Sequence, residues 1–246
     1  MPHKFIEKLG AGFYGTAVYK TQDVETNEYF ASKIFFYTDE KDEFYIDSNG
    51  EEQYDVNYIM TCKDKVEGDS KAEYTNLQTL NKLNLDFIPQ VYDYKHAQII
   101  SKTQSEEKER NIFIIKIQLL SGPTLRTSWK NNKSWKYVWE TLIQAINLVR
   151  KLHVLGICHG DVHSENFVWN DGQLMMIDFT SMNSETDFKN DYYRLSWYHI
   201  IRSDDEMEPE DEYAKNLATL ICNIKEWYES DCDHNQMYNK IIELCN

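Results

Sequence analysis

Eight consecutive residues, His159-Gly160-Asp161-Val162-His163-Ser164-Glu165-Asn166, bring two imidazoles, two carboxylates and an amide close together. A further carboxylate, Asp178 in Ile177-Asp178-Phe179, lies 12 residues beyond Asn166. The elements around these residues put Asp161, Asn166 and Asp178 in or beside loops, where they can converge at the mouth of two short strands. One carboxylate can orient a hydroxyl, while an amide oxygen and a second carboxylate can hold Mg2+, which takes few carboxylates and keeps waters or phosphate oxygens. His159 and His163 have the i,i+4 spacing of a helical metal pair. Gly160 and Asp161 between them argue for a loop instead.

A second group lies near the N-terminus. Gly10-Ala11-Gly12-Phe13-Tyr14-Gly15 has small residues that let backbone N–H groups approach a phosphate. Taken alone, this is a weak motif. Lys33 and Glu73, read singly, are surface charges. Asp178 read singly is a turn cap, and Trp129, Trp135, Trp139, Trp169 and Trp197 are packing residues.

The elements that position these residues follow from periodicity. Lys4–Leu9, Ala17–Thr21 and Tyr29–Phe36 are rich in β-branched and aromatic residues and read as strands. Residues 37–69 form an acidic insertion with a short hairpin around Asn49-Gly50, and a helix is expected over Ser70–Leu83. Gln90–Tyr94 into Ile99–Ile100 and Ile112–Leu120 read as strands joined by a polar loop over 102–110. Trp135–His153 is an amphipathic helix. Phe167–Trp169 and Leu174–Ile177 form a hairpin about Asn170-Asp171-Gly172. Helices return over Asp191–Ile201, Glu212–Tyr228 and Gln236–Leu244, and Asp204–Glu212 reads as a solvated loop. Strands first and helices after indicate an α+β chain of two lobes, 1–117 and 118–246.

Taken in order, these motifs resemble the protein-kinase-like superfamily. His159, Asp161, Asn166, Asp178 and Phe179 match its catalytic loop and metal-binding turn, with the same spacing from Asp161 to Asn166. The resemblance implies a bilobal fold that uses ATP and Mg2+ (or Mn2+) to phosphorylate a hydroxyl. By it, Asp161 orients the acceptor hydroxyl, Asn166 and Asp178 hold the metal, and His159 shapes the loop. Gly10, Ala11, Gly12, Phe13, Tyr14 and Gly15 cover the phosphates. Lys33, in a strand resembling Ala31-x-Lys33, contacts the α/β-phosphates and pairs with Glu73. Gln118 and Leu120 lie in the segment resembling the adenine-binding hinge, and either Ala17 or Val18 covers the base.

Four departures from a standard protein kinase bear on function. Gly160 replaces an arginine that pairs with a phosphorylated activation loop. Thr180 replaces a glycine, which restricts turn flipping. His163 stands where protein kinases have a lysine, the form typical of aminoglycoside and choline phosphotransferases, and could hydrogen-bond the transferring phosphoryl group. The segment from Asp178 to Asp191 is short, removing most of a peptide-docking platform. The expected acceptor is a Ser/Thr of a protein. A small-molecule hydroxyl and a non-catalytic pseudokinase are the alternatives.

Composition narrows the partners. The net charge of −15 disfavours nucleic acid and anionic lipid. The 5 cysteines are scattered without a Cys-x-x-Cys pair, which suggests thiols in a reducing compartment. No apolar segment follows the first residues and none is long enough to span a bilayer, so a cytoplasmic location is expected.

Overall fold

A computed structural model describes residues 3–11, 16–37, 44–46, 52–54, 62–102, 107–132, 134–183, 188–197 and 211–245. The chain is α+β, as expected. It divides into two compact units, Met1–Leu85 with Pro89–Leu119, and Asp86–Ile88 with Leu120–Asn246.

The first unit is built on five antiparallel strands: β1 (His3–Ala11), β2 (Thr16–Asp23), β3 (Tyr29–Phe36), β6 (Val91–Lys102) and β7 (Glu107–Gln118), in the order β1-β2-β3-β7-β6. A separate pair, β4 (Phe44–Ile46) and β5 (Glu52–Tyr54), flanks the expected Asn49-Gly50 turn, which itself lies outside the described residues. Helix α1 (Lys63–Lys82) buries Val66, Ser70, Glu73, Leu77 and Leu80 at steps of three and four. Phe35, Tyr37, Val66, Phe113 and Ile115 form one core cluster of this unit.

Two boundaries differ markedly from the sequence reading. Helix α1 starts at Lys63 rather than Ser70, so residues 63–69 are helical and not part of a loop. Its early face was illegible because residues 63–69 bury only Val66 and are otherwise charged or glycine. Ser70 is satisfied by the Glu67 carbonyl and the Tyr94 hydroxyl, both at 3.1 Å. Strands β6 and β7 also run through most of the stretch read as a loop, pairing as far as Lys102↔Glu107. A two-stranded ribbon satisfies its backbone by pairing alone and needs no apolar alternation to do so.

The second unit centres on α3 (Trp135–Val154), whose buried face includes Val138, Leu142, Ala145, Ile146, Val149 and Leu152. Ser134 caps its start by accepting from the Tyr137 N–H. Its end turns at Gly156, with φ 74°, where Ile157 N–H bonds back to the Leu152 carbonyl at 3.1 Å. This sharp stop delivers the chain into the His159–Asn166 loop. Helix α2 (Leu125–Asn131), capped by Thr124, has only two buried residues and had no periodicity to reveal it. Further on lie α4 (Phe188–Trp197), α5 (Glu212–Glu229) and α6 (His234–Cys245). Residues 198–210, including the remainder of the helix expected to Ile201 and most of the acidic loop, lie outside the described residues. All five cysteines are thiols. Among the described residues no helix is long and apolar enough to cross a membrane.

Strands β8 (Phe167–Asn170) and β9 (Gln173–Met176) form the expected hairpin. Asp171 and Gly172 take φ of 50° and 85°, as its two-residue turn requires. The turn is latched to Ser121, whose hydroxyl donates to Asp171 Oδ1 at 3.0 Å and accepts from the Asp171 N–H at 3.0 Å. Beside the latch, Gly122 N–H donates to the Trp169 carbonyl at 2.8 Å. A Cβ on Gly122 would lie 2.7 Å from Trp169 Cβ, so close approach dictates the glycine. Gly122→Ala is expected to cost about 1–3 kcal/mol by overpacking, read as a lowered midpoint in thermal unfolding. An unchanged midpoint would show that the Trp169 backbone yields freely.

Candidate active site

In the first unit, strand register assembles a row across four strands. Gly10 is opposite Val18, Val18 opposite Lys33, and Lys33 opposite Ile115. Directly opposed residues share a sheet face, and Ala31, two residues before Lys33, lies on that face as well. Val18 is therefore on the Lys33 face and Ala17 on the other, where it is buried. Of the two residues the sequence left open, Val18 is the one that shares the Lys33 face. Gly10 and Ala11 belong to β1 rather than to a loop, while Gly12, Phe13, Tyr14 and Gly15 lie outside the described residues.

Lys33 Nζ sits 2.7 Å from Glu73 Oε2, with both side chains buried. The ammonium is thus held by a carboxylate projected from α1. Gln118 closes β7 with its N–H on the Gln90 carbonyl at 2.8 Å and its side-chain oxygen accepting from Gln90 N–H at 3.2 Å. Leu120 opens the second unit.

In the second unit the loop is organised by hydrogen bonds that leave little freedom. His159 is fully buried; its Nε2 is 3.0 Å from the Ile177 carbonyl and its Nδ1 accepts from Asp161 N–H at 3.2 Å. A carbonyl only accepts and an amide N–H only donates, so the ring is the neutral Nε2–H tautomer. Burial agrees, holding the His159 pKa below its usual value.

Asn166 donates from Nδ2 to the Asp161 carbonyl at 2.9 Å. The amide is thereby oriented, with its oxygen as the end that remains to meet a ligand. Its own carbonyl accepts from Ile177 N–H at 2.9 Å, which ties the loop to the strand end carrying Asp178. These bonds bring the Asp161, Asn166 and Asp178 segments together.

The backbone shows which residue of this turn is left-handed. The left-handed residue is Asp178, with φ 64°, and not Thr180. The Thr180 hydroxyl donates to Asp178 Oδ1 at 2.9 Å, a bond that a glycine in its place could not make. Asp178 and Asn166 offer hard oxygen donors, one charged and one neutral, a set that fits Mg2+. Among the described residues no group of three or more His, Cys, Asp or Glu is placed to hold a metal ion. Both His159 nitrogens are engaged by protein atoms, so the His159/His163 spacing makes no zinc pair.

Asp161 points its carboxylate at two cations or potential cations. Arg194 Nη2 is 2.9 Å from Oδ1, and His163 Nε2 is 3.5 Å from Oδ2. Burial pushes the Asp161 pKa up, but His163 and Arg194 outweigh it and hold the carboxyl below its usual range. Behind the loop, Asp191 on α4 is completely buried and accepts four bonds. His153 Nε2, Cys158 Sγ and His159 N–H meet Oδ2 at 3.0, 3.2 and 2.9 Å, and Gly160 N–H meets Oδ1 at 3.0 Å. Sequence reasoning noticed Asp191 as a helix opener and passed over His153, Cys158 and Arg194. The first two lie beside apolar helix positions that look like plain core. For Arg194 the only signal was its three-residue spacing from Asp191.

Gly160, expected merely to remove an arginine, has a stricter reason to be glycine. Its φ is 81°, and a Cβ there would overlap the Ser181 backbone.

No curated protein matches the chain. Residues 121–215, which contain the loop, the hairpin, Asp178, Asp191 and Arg194, match the model of the phosphotransferase enzyme family APH, a branch of the protein-kinase-like superfamily with aminoglycoside- and choline-kinase-like members.

Proposed function

We propose that the protein transfers the γ-phosphoryl group of ATP to a hydroxyl, with Ser or Thr of a protein as the acceptor. The observation that carries the transfer step is the Asp161 carboxylate, ionised and oriented on a loop whose neighbouring amide, Asn166, has its nitrogen committed to the loop. Asp161 meets the acceptor hydroxyl and aligns its oxygen for in-line attack. It receives the proton only as the bond to phosphorus forms, because its own basicity is low. His163, beside Asp161, donates to the transferring group. Lys33, held by Glu73, neutralises the α/β-phosphates. Asn166 and Asp178 would hold Mg2+, which supplies charge neutralisation to the phosphate oxygens. Val18 and Ala31, on the Lys33 face, pack on the base, and Gln118 and Leu120 supply its hydrogen-bonding edge.

The protein acceptor is favoured by the small second unit, in which only α5 and α6 are described after α4. A small-molecule hydroxyl is the second reading, favoured by the family match and by His163. The acidic chain attracts cationic acceptors of either kind.

The test is transfer of labelled γ-phosphate, with Mg2+ and with excess chelator, to basic proteins and to amino sugars and amino alcohols. Label on protein Ser/Thr supports the first reading, and label on the small molecules replaces it by the second. Binding of Mg-ATP without transfer to any acceptor would sink both in favour of a pseudokinase.

A further inference from the structure

Asp191 and Arg194 are three residues apart on α4 and therefore share a face of the helix. Both grip the same glycine. Asp191 Oδ1 accepts from the Gly160 N–H at 3.0 Å, and Arg194 Nη1 donates to the Gly160 carbonyl at 2.6 Å. The other arm of the guanidinium, Nη2, reaches Asp161 Oδ1 at 2.9 Å. On the opposite side of Gly160 stands the Ser181 backbone, close enough to exclude any Cβ. Gly160 is thus held at its N–H, at its carbonyl and against its Cα, and the next side chain in sequence is the one proposed to orient the acceptor.

We propose that Arg194 is a positioning residue for phosphoryl transfer: it fixes Asp161 by Oδ1 and so makes Oδ2, beside His163, the oxygen that the acceptor hydroxyl meets. The inference rests on the phosphotransferase reading above. A carboxylate anchored only through its Cβ rotates about χ2 and presents either oxygen. One anchored to a cation that is itself anchored to the backbone presents one. The planar fork of arginine suits this task because its two outer nitrogens donate in parallel, here to a carbonyl and a carboxylate one residue apart. A lysine in its place has one point charge and serves one of the two acceptors well. An ordinary exposed ion pair contributes little because both side chains are mobile. Here Arg194 and Asp161 are each only about one-third exposed, and the Gly160 bond removes the mobility.

The experiment compares Arg194→Met, Arg194→Lys, Asp161→Ala and the Arg194→Met/Asp161→Ala double variant of the full chain. Arg194→Met is expected to lower kcat about 10²-fold, the scale of a misplaced reacting group, with KM for ATP little changed. Arg194→Lys is expected to retain roughly tenfold more activity than Arg194→Met, since one of its two contacts can persist. Acting through Asp161, Arg194 has nothing left to position once that carboxylate is gone, so the double variant is expected to match Asp161→Ala alone. Losses that multiply in the double variant, or wild-type kcat in Arg194→Met, overturn the proposal. Hydrogen exchange of the amides at 158–163 is the readout that needs no acceptor: it is expected to quicken about tenfold in Arg194→Met, and unchanged exchange overturns the clamp. Should Arg194→Met fail to fold, Arg194→Lys carries both measurements. A wild type that transfers to nothing overturns the phosphotransferase reading, and the exchange result then decides the clamp by itself.

Discussion

Asp161→Ala is expected to reduce phosphoryl transfer by about 10²–10⁴-fold while Mg-ATP binding and the fold persist. The fold survives because the structural bonds of this residue are made by its backbone: its N–H to His159 Nδ1 and its carbonyl to Asn166. Its side chain is one-third exposed, and the ion pair it loses is partly solvated. Asp161→Asn is the sharper variant. Arg194 offers only donors, so the amide oxygen must take the Oδ1 place and the NH2 the Oδ2 place. The acceptor hydroxyl then meets a donor where it needs an acceptor. Asp161→Asn is therefore expected to be nearly as impaired as Asp161→Ala, despite its matching shape. Single-turnover transfer of labelled phosphate, with calorimetric titration of Mg-ATP, checks both variants. An asparagine variant at the wild-type rate would remove Asp161 from the mechanism. Because the Asp161 carboxyl is held below its usual range, the acid limb of kcat/KM due to this group is expected below that range, and kcat/KM at pH 5 is not lost through it.

The site was legible in the sequence to the extent that its chemistry is local. Asp161, Asn166 and Asp178 lie on one loop and the hairpin that follows it, so residue type and spacing exposed them together. The strands of the first unit were legible because β-branched and aromatic runs alternate with turns. The first turns of α1, residues 63–69, carry Lys63, Asp64, Lys65, Glu67, Gly68 and Asp69 and bury only Val66, so they looked like solvated loop. Other illegible positions were those where a polar group is buried and satisfied by a partner far along the chain. His153 and Cys158 hid among apolar neighbours, their roles defined by Asp191 more than thirty residues away. That Val18 rather than Ala17 shares the Lys33 face needed strand register, which the sequence alone does not give. Thr180 was read as a constraint on its own φ. In the fold the left-handed residue is Asp178, and the threonine also holds Asp178 through its hydroxyl, a role that only three-dimensional placement reveals.

Asp191→Asn is expected to destabilise the second unit by roughly 3–5 kcal/mol at neutral pH, the scale for removing one partner of a buried charged network. Asp191 accepts three donors on Oδ2 and one on Oδ1 and has no exposure to water. An asparagine would turn its oxygen to the three donors and press its NH2 against the Gly160 N–H, leaving two donors face to face. Burial raises the Asp191 pKa, but the bond from His153, the neighbouring imidazoles and the His159 N–H outweigh it, and the carboxyl sits below its ordinary 3.8. A depressed carboxyl stabilises the fold above its unfolded value, and that contribution is lost as pH falls through the folded one. The deficit of Asp191→Asn relative to wild type is therefore expected to be full at pH 7 and to shrink below about pH 4. His159 has a separate window. Its folded pKa is lowered from 6.5 by burial, so below that value the unfolded chain takes up the proton first, and both proteins lose stability together. Urea unfolding from pH 7 to 3.5 separates the two: a deficit that stays constant below pH 4 would mean that Asp191 acts by shape rather than by charge. Because Asp191 grips the His159 and Gly160 amides directly, the same variant is expected to slow transfer even at temperatures where it remains folded. Arg194, three residues along the helix, can position Asp161 only if Asp191 has already set the glycine it holds.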